Sequence, residues 1–260
     1  MNSPGSDVRV PRLSLSTLIA GRRRWIAAGL DLLFPPQCAH CAAPLEVSQA
    51  SLICAACRAE LADPREFCPR CGLSAVHDVS GCAHCRGERL HYSGVVRLGT
   101  YTGKLRSAVL RIKHPSERGL ALALGGLLAD TQLSRFEASM PEGVVPIPLH
   151  WTRRLRRGGN GPEAIAERLA QALDVPLATH LLIRQRRTAP QASLPPAKRR
   201  TNMRGAFRAG RDADLAGARL LLVDDVMTTG STVNEAAKVL VRAGAAQITV
   251  AVLARADGVD

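Results

Sequence analysis

The chain has 260 residues, 46% of them hydrophobic, which is room for one large domain beside a small one and too apolar for wholesale disorder. A net charge of +13 and a pI near 10.3 point to a polyanionic partner, while an aromatic content of 3% leaves few platforms for stacking bases. Only four of the 35 basic residues are lysine (104, 113, 198 and 238), a coding bias that explains arginine in place of lysine but not the excess over acid.

Residues 1–15 read as a flexible tail, and about 16–34 as an amphipathic helix packed on the body of the protein, with contact to a membrane surface as the alternative. Arg22–Arg24 followed by WIAAGLDLLF has the outline of a signal peptide. Its apolar run is broken by Asp31, however, and it ends in Pro35-Pro36 rather than at a small-residue cleavage site. No stretch is long and apolar enough to form a membrane span, so a cytoplasmic location is expected.

The eight cysteines then form four C-x2-C pairs: Cys38/Cys41, Cys54/Cys57, Cys68/Cys71 and Cys82/Cys85. A C-x2-C turn offers two thiolates to one metal, and two such turns complete a tetrahedral zinc site. Intervals of 12, 10 and 10 residues suit two successive zinc ribbons over 35–90. The sequential pairing gives Cys38, Cys41, Cys54 and Cys57 one zinc, and Cys68, Cys71, Cys82 and Cys85 the other; a crossed pairing fits the spacing as well. Disulfides and iron on four thiolates are the alternatives. A reducing cytosol argues against the first. His40 and His84 lie inside the C-x2-C loops and read as spectators.

From residue 91 a larger α/β domain is expected, running to 260. Val95, Val96, Leu98 and Tyr101 suggest a strand or hairpin; helices over about 104–113 and 117–133 follow, separated by His114-Pro115. Val144–Pro148 reads as a short apolar strand whose two prolines end normal ladder bonding and turn the chain into a loop. That loop carries Arg153, Arg154, Arg156, Arg157, Gly158 and Asn160, with Pro162 opening a helix to about Leu173. Arginines beside a glycine-rich helix start make a candidate anion or DNA site, with a solvated loop as the alternative. Residues 177–183 read as a strand. The segment 184–211 holds nine basic residues and no acid, among them Lys198, Arg199, Arg200 and Arg204. Pro190, Pro195 and Pro196 suggest that it is extended and mobile, a lid over an anion or an arm along a phosphate backbone.

The stretch LLLVDDVMTTGST, Leu220–Thr232, carries the chemistry. An apolar run suggests a strand buried on both faces of a parallel sheet, and ligands of such sheets bind outside the strands' carboxyl ends. Asp224 and Asp225 stand there, followed by Thr228, Thr229, Gly230, Ser231 and Thr232, and then by a helix with Val233, Ala236, Ala237, Leu240 and Val241 on one face, closed by Gly244. Backbone N–H groups at the helix start, with added hydroxyls, suit a phosphate, and the paired carboxylates suit two vicinal hydroxyls or Mg²⁺. A capped turn with no ligand is the alternative. Ile248–Leu253 supplies a last strand.

This string resembles the phosphoribosyl-pyrophosphate (PRPP) motif of type I phosphoribosyltransferases. Together with the cysteine pairs, VVPIPLH (144–150), Arg157-Gly158-x-Asn160 and TAPQASL with RRTNMRGAF (188–207), it resembles the ComF family of competence proteins over about 30–255. The resemblance implies a type I phosphoribosyltransferase-like parallel sheet flanked by helices and preceded by a small Cys-rich zinc-ribbon domain. It also implies that Asp224 and Asp225 contact the ribose of PRPP, with Mg²⁺ accompanying the ligand, and that Thr228–Thr232 cradle the 5′-phosphate. The partners it implies are single-stranded DNA and other competence proteins, such as a DNA-translocating helicase. The chain reads RGGNG where the family has RGFNQ, so the side-chain contacts of those two positions are lost at Gly159 and Gly161 while a backbone anion site remains open to it. Two roles follow: a DNA-uptake factor that binds PRPP and single-stranded DNA, or an active phosphoribosyltransferase. A PRPP-sensing regulator is a third.

Overall fold

A computed structural model describes residues 35–46, 51–74, 82–149, 161–189, 195–211 and 214–257. The tail and amphipathic helix expected over 1–34 lie outside these residues. So do Arg153, Arg154, Arg157, Gly158 and Asn160.

The core of the fold is a four-stranded, fully parallel sheet in the order β1-β6-β5-β2. The strands are β1 (Gly94–Thr100), β2 (Gly143–Pro146), β5 (Arg219–Met227) and β6 (Gln247–Arg255). Side chains alternate across a strand, and here both faces are apolar. Leu221 and Val223 enter one buried cluster with Leu98, Val144 and Leu253, while Leu220 and Leu222 enter the other with Val95, Val145 and Val252. The first face is covered by α2 (Gly103–Arg111), α3 (Arg118–Ser139) and α4 (Gly161–Leu173). The second is covered by α6 (Ser231–Arg242), whose Val233, Ala236, Ala237 and Leu240 are buried. A 3-10 turn at Pro115–Glu117 separates α2 from α3.

Several details depart from the sequence reading. Region 94–100 is one strand and not a hairpin, because its partner is the distant β6. α3 runs to Ser139, well past the expected end near 133, with a non-helical Gln132 (φ −124°) inside it. Pro146 lies within β2, and bonding continues past it, since Ile147 N–H donates to Val223 O at 2.8 Å. The strand expected over 177–183 is divided. Leu177 bridges Val144 at the sheet edge, while β3 (Leu182–Arg184) pairs antiparallel with β4 (Phe207–Ala209) in a separate ribbon.

The largest correction concerns 184–211, whose described part is folded. Pro195 and Pro196 do not extend the chain; they open helix α5 (Pro196–Met203), where the fixed φ of proline suits the first turn. Met203, Ala206 and Phe207 are buried in the core cluster beneath α6, which holds the segment down. Gly205 N–H donates to Glu235 Oε1 at 2.8 Å, and Arg200 pairs with Glu88 at 2.9 Å.

The cysteine-rich region packs on this body. Cys38, Leu45, Ile53, Cys57 and Leu61 belong to the same buried cluster as α2 and α3, Cys57 and Leu61 through α1 (Ala55–Leu61). Lower down, Arg97 of β1 is 1% exposed and reaches Asp63 at 3.6 Å, Asp257 at 3.4 Å and Ser74 Oγ at 2.8 Å, with its guanidinium over the Phe67 ring.

Candidate functional site

The acid pair lies inside the last turns of β5 and not after it. Asp224 is registered against Val252, and the strand continues to Met227. Regular alternation lapses at this end of the strand, since Val226 packs with the first cluster and Met227 with the second, and the two carboxylates lie close enough to interact. Asp224 is 8% exposed, and its Oδ1 accepts the Asp225 N–H at 2.9 Å. Burial, reinforced by the Asp225 charge, pushes its pKa well above the usual carboxylate range. Asp225 is half-buried; its Oδ1 accepts the Val226 N–H at 2.8 Å and its Oδ2 accepts from Lys113 Nζ at 2.9 Å. Burial opposes the charge on Lys113, but the facing Asp225 carboxylate outweighs it and raises the pKa. One carboxylate is thus sequestered and the other held open by a cation.

Lys113 follows α2, just beyond Ile112, and the first residue of α4, Gly161, sits against Ile112. The start of α4 is therefore next to the acid pair. The register of β2 against β5 sets Pro146 beside Val223, so the chain leaving β2 toward 150–160 does so at the same sheet end.

The loop after β5 supplies the remaining groups. Gly230 adopts φ 73°, and a Cβ there would stand 2.7 Å from Met227 Cε, so both backbone and space demand glycine. The N-cap Gly230 has no side chain to cap α6, and Thr229 Oγ1 accepts the Ser231 N–H at 3.5 Å in its place. Thr229 Oγ1 and Ser231 Oγ share a hydrogen bond of 2.8 Å, which turns hydroxyls and helix start toward one another. The set gathers hydroxyls and a helix start beside a carboxylate pair, donors of the kind that can receive an anion. Of the basic residues nominated in the folded arm, Lys198, Arg200 and Arg204 are exposed and Arg199 is partly so, all on or just after α5. Arg200 is engaged with Glu88.

The eight cysteine sulfurs form two groups in the sequential pairing, each with all sulfurs within 4.8 Å of one another. Zinc–sulfur bonds of about 2.3 Å in a tetrahedron place neighbouring sulfurs ~3.8 Å apart. Cys41 and Cys54 are 3.8 Å apart, Cys68 and Cys85 3.9 Å, and Cys71 and Cys82 3.8 Å. A disulfide needs its sulfurs about 2.05 Å apart, so the 3.8–3.9 Å spacing suits shared ligation of a metal and not the disulfide alternative. N–H groups point at the sulfurs, as from Cys54 to Cys38 Sγ at 3.4 Å. Burial works against the Cys38 thiolate, yet the backbone N–H groups of Cys54, Cys41 and His40 bring its pKa down to about 6. The donor set fits a closed structural zinc site, twice. His40 uses its carbonyl to accept from Arg111 Nη1 at 2.7 Å.

Sequence reasoning missed Lys113 as the partner of Asp225, and it missed Arg255. The latter was legible only as a charge at the end of a long apolar strand.

Comparison with known proteins matches residues 29–86 to a double zinc ribbon domain and 160–258 to a phosphoribosyl transferase domain. The chain is 33% identical to the DNA utilization protein YhgH of Salmonella typhimurium over 227 residues, covering 86% of this chain and 99% of that protein. Competence protein F of Haemophilus influenzae is 31% identical over 85% of this chain and 97% of its own length. Competence protein ComFC of Bacillus subtilis is 29% identical over 75% and 80% respectively.

Proposed function

The chain belongs to the ComF family of competence and DNA-utilization proteins, and from that premise we propose that it binds PRPP at the end of β5 and single-stranded DNA on its basic surface, in the cytosol. One observation carries the reading: two carboxylates, one buried and one held by Lys113, stand at the carboxyl end of a parallel sheet beside a hydroxyl-lined helix start. Asp224 and Asp225 accept hydrogen bonds from the vicinal ribose hydroxyls. The N–H groups and hydroxyls of Thr228–Thr232 receive the 5′-phosphate. Mg²⁺ accompanying the ligand would offset the charge of the pyrophosphate. Lys198, Arg199, Arg200 and Arg204, with the arginines at 153, 154 and 157, supply sequence-independent, salt-sensitive contacts to DNA phosphates. The two zinc sites hold the ribbons in shape and leave no position open for chemistry.

Calorimetric titration of PRPP with Mg²⁺, and of a single-stranded oligonucleotide, into the same preparation tests this. The expected result is binding of both, with PRPP binding lost in the double variant Asp224→Asn, Asp225→Asn. DNA binding weakens with salt and with Lys198→Ala, Arg199→Ala and Arg204→Ala together. No heat from PRPP in the wild type sinks the ligand assignment, and DNA affinity that ignores salt sinks the other. Pyrophosphate release across a panel of bases reads out any transfer.

A further inference from the structure

Arg255 closes β6, is 3% exposed, and is used by nothing in the ligand reading above. Its Nη1 donates to the carbonyls of Met227 at 3.0 Å, Ala256 at 2.8 Å and Thr228. Its Nε donates to the carbonyl of Cys71 at 2.9 Å. One guanidinium therefore joins the first residues of the phosphate loop to a cysteine of the second metal group. The join is tight. Residue Gly72 lies so close to β1 that a Cβ on it would come 2.8 Å from Val95 Cγ1 and 3.7 Å from Arg255 Cδ. The same turn is fastened by Val95 N–H to Pro69 O at 2.8 Å and by Ser74 N–H to Asp257 Oδ1 at 3.1 Å.

A buried guanidinium whose hydrogen-bond acceptors are carbonyls is costly unless compensating negative charge stands near. Four thiolates on one divalent zinc leave a net charge of about −2. A filled second site would thus favour Arg255 where it stands, alongside the Asp257 carboxylate, and Arg255 in turn holds the Met227 and Thr228 carbonyls. Holding those carbonyls fixes the backbone from which the following residues present their N–H groups and hydroxyls.

We infer that Arg255 is a positioning residue that couples the second four-cysteine site to the loop 228–232, so that affinity for a phosphoribosyl ligand depends on the metal load of that site. This rests on the loop being a phosphate cradle.

The experiment uses the full chain with its metals, and two readouts: hydrogen exchange of the amides in 228–232, and calorimetric affinity for PRPP. Cys82→Ser, which removes a second-site ligand, is compared with Cys41→Ser at the first site and with Arg255→Lys. Metal content is measured on each. The expected result is that Cys82→Ser loses one zinc, speeds exchange in the loop, and weakens PRPP by roughly tenfold, equivalent to about 1.4 kcal/mol. Cys41→Ser also loses one zinc but has a clearly smaller effect on both readouts. Arg255→Lys keeps both metals yet loosens the loop, since a single ammonium cannot span the carbonyls that a planar guanidinium bridges. Equal effects from the two cysteine variants, or unaltered loop exchange in Arg255→Lys, overturn the coupling. A wild type that ignores PRPP overturns the ligand reading instead, and the exchange data still decide the coupling.

Discussion

Asp224→Asn makes the protein more stable while it removes the proposed ribose contact, and the gain grows with pH. The amide keeps the acceptor for the Asp225 N–H and removes a buried charge. The folded chain holds the Asp224 proton at pH values where the unfolded chain, with an ordinary value near 3.8, has released it. Between that value and the raised folded pKa the native state binds one more proton than the unfolded state. Stability contributed by Asp224 is complete below pH ~4 and declines by about 1.4 kcal/mol per pH unit until the folded pKa is passed, after which it is flat. The asparagine variant has no such slope. Urea titrations of both proteins at half-unit steps from pH 5 to 8, in zinc-containing buffer, measure the difference. With an m-value of roughly 2–3 kcal/mol/M, the variant's midpoint moves ahead by about half a molar per pH unit within the window. Proton competition at the cysteines is common to both proteins and cancels. A difference that is flat over this range, or that narrows as pH rises, refutes the burial argument.

The neighbouring acid has the opposite sign. Asp225→Asn strips Lys113 of its partner and costs about 1 kcal/mol after allowance for Lys113 being 35% exposed, checked by the same titration. Gly230→Ala forces a side chain into left-handed backbone against Met227; it costs about 1–3 kcal/mol in thermal unfolding and removes PRPP binding. Arg97→Met leaves Asp63 and Asp257 half-buried beside a lost cation, and costs about 3 kcal/mol by denaturant titration. Chelation that extracts both zincs lowers the melting temperature of the whole chain, because Cys38 and Cys57 lie in the same core cluster as α2 and α3; circular dichroism of the helices reports it.

The sequence made the site's chemistry legible because that chemistry is local. Strand, acid pair, loop and helix are consecutive from Leu220 to Val241, and each C-x2-C turn announces itself. What escaped was set by partners distant in the chain. Lys113 meets Asp225 only after two helices and the sheet have formed, and Arg255 meets Cys71 from the other end of the protein. The described parts of the arm, 184–189 and 195–211, depart from the expected extended form for a similar reason. Its prolines and charges argue for extension, and the burial of Met203 and Phe207 under α6 decides the matter. Single strands such as Leu182–Arg184 are too short for alternation to reveal which sheet they join.

The pairing of β1 with β6 also has a consequence during synthesis. β1 is complete at Thr100, while its neighbour begins only at Gln247. At 5–20 residues per second the ribosome takes on the order of ten seconds to supply that neighbour. Through that interval the cysteine turns can already collect metal, since their ligands are close in sequence. Val95, Val96 and Leu98 have no sheet to join, and the ribbons have only part of the surface on which they will rest. The nascent chain therefore carries an apolar strand in waiting, and a chain ending before Gln247 lacks both the partner of β1 and the Arg255 guanidinium that holds the Met227 carbonyl.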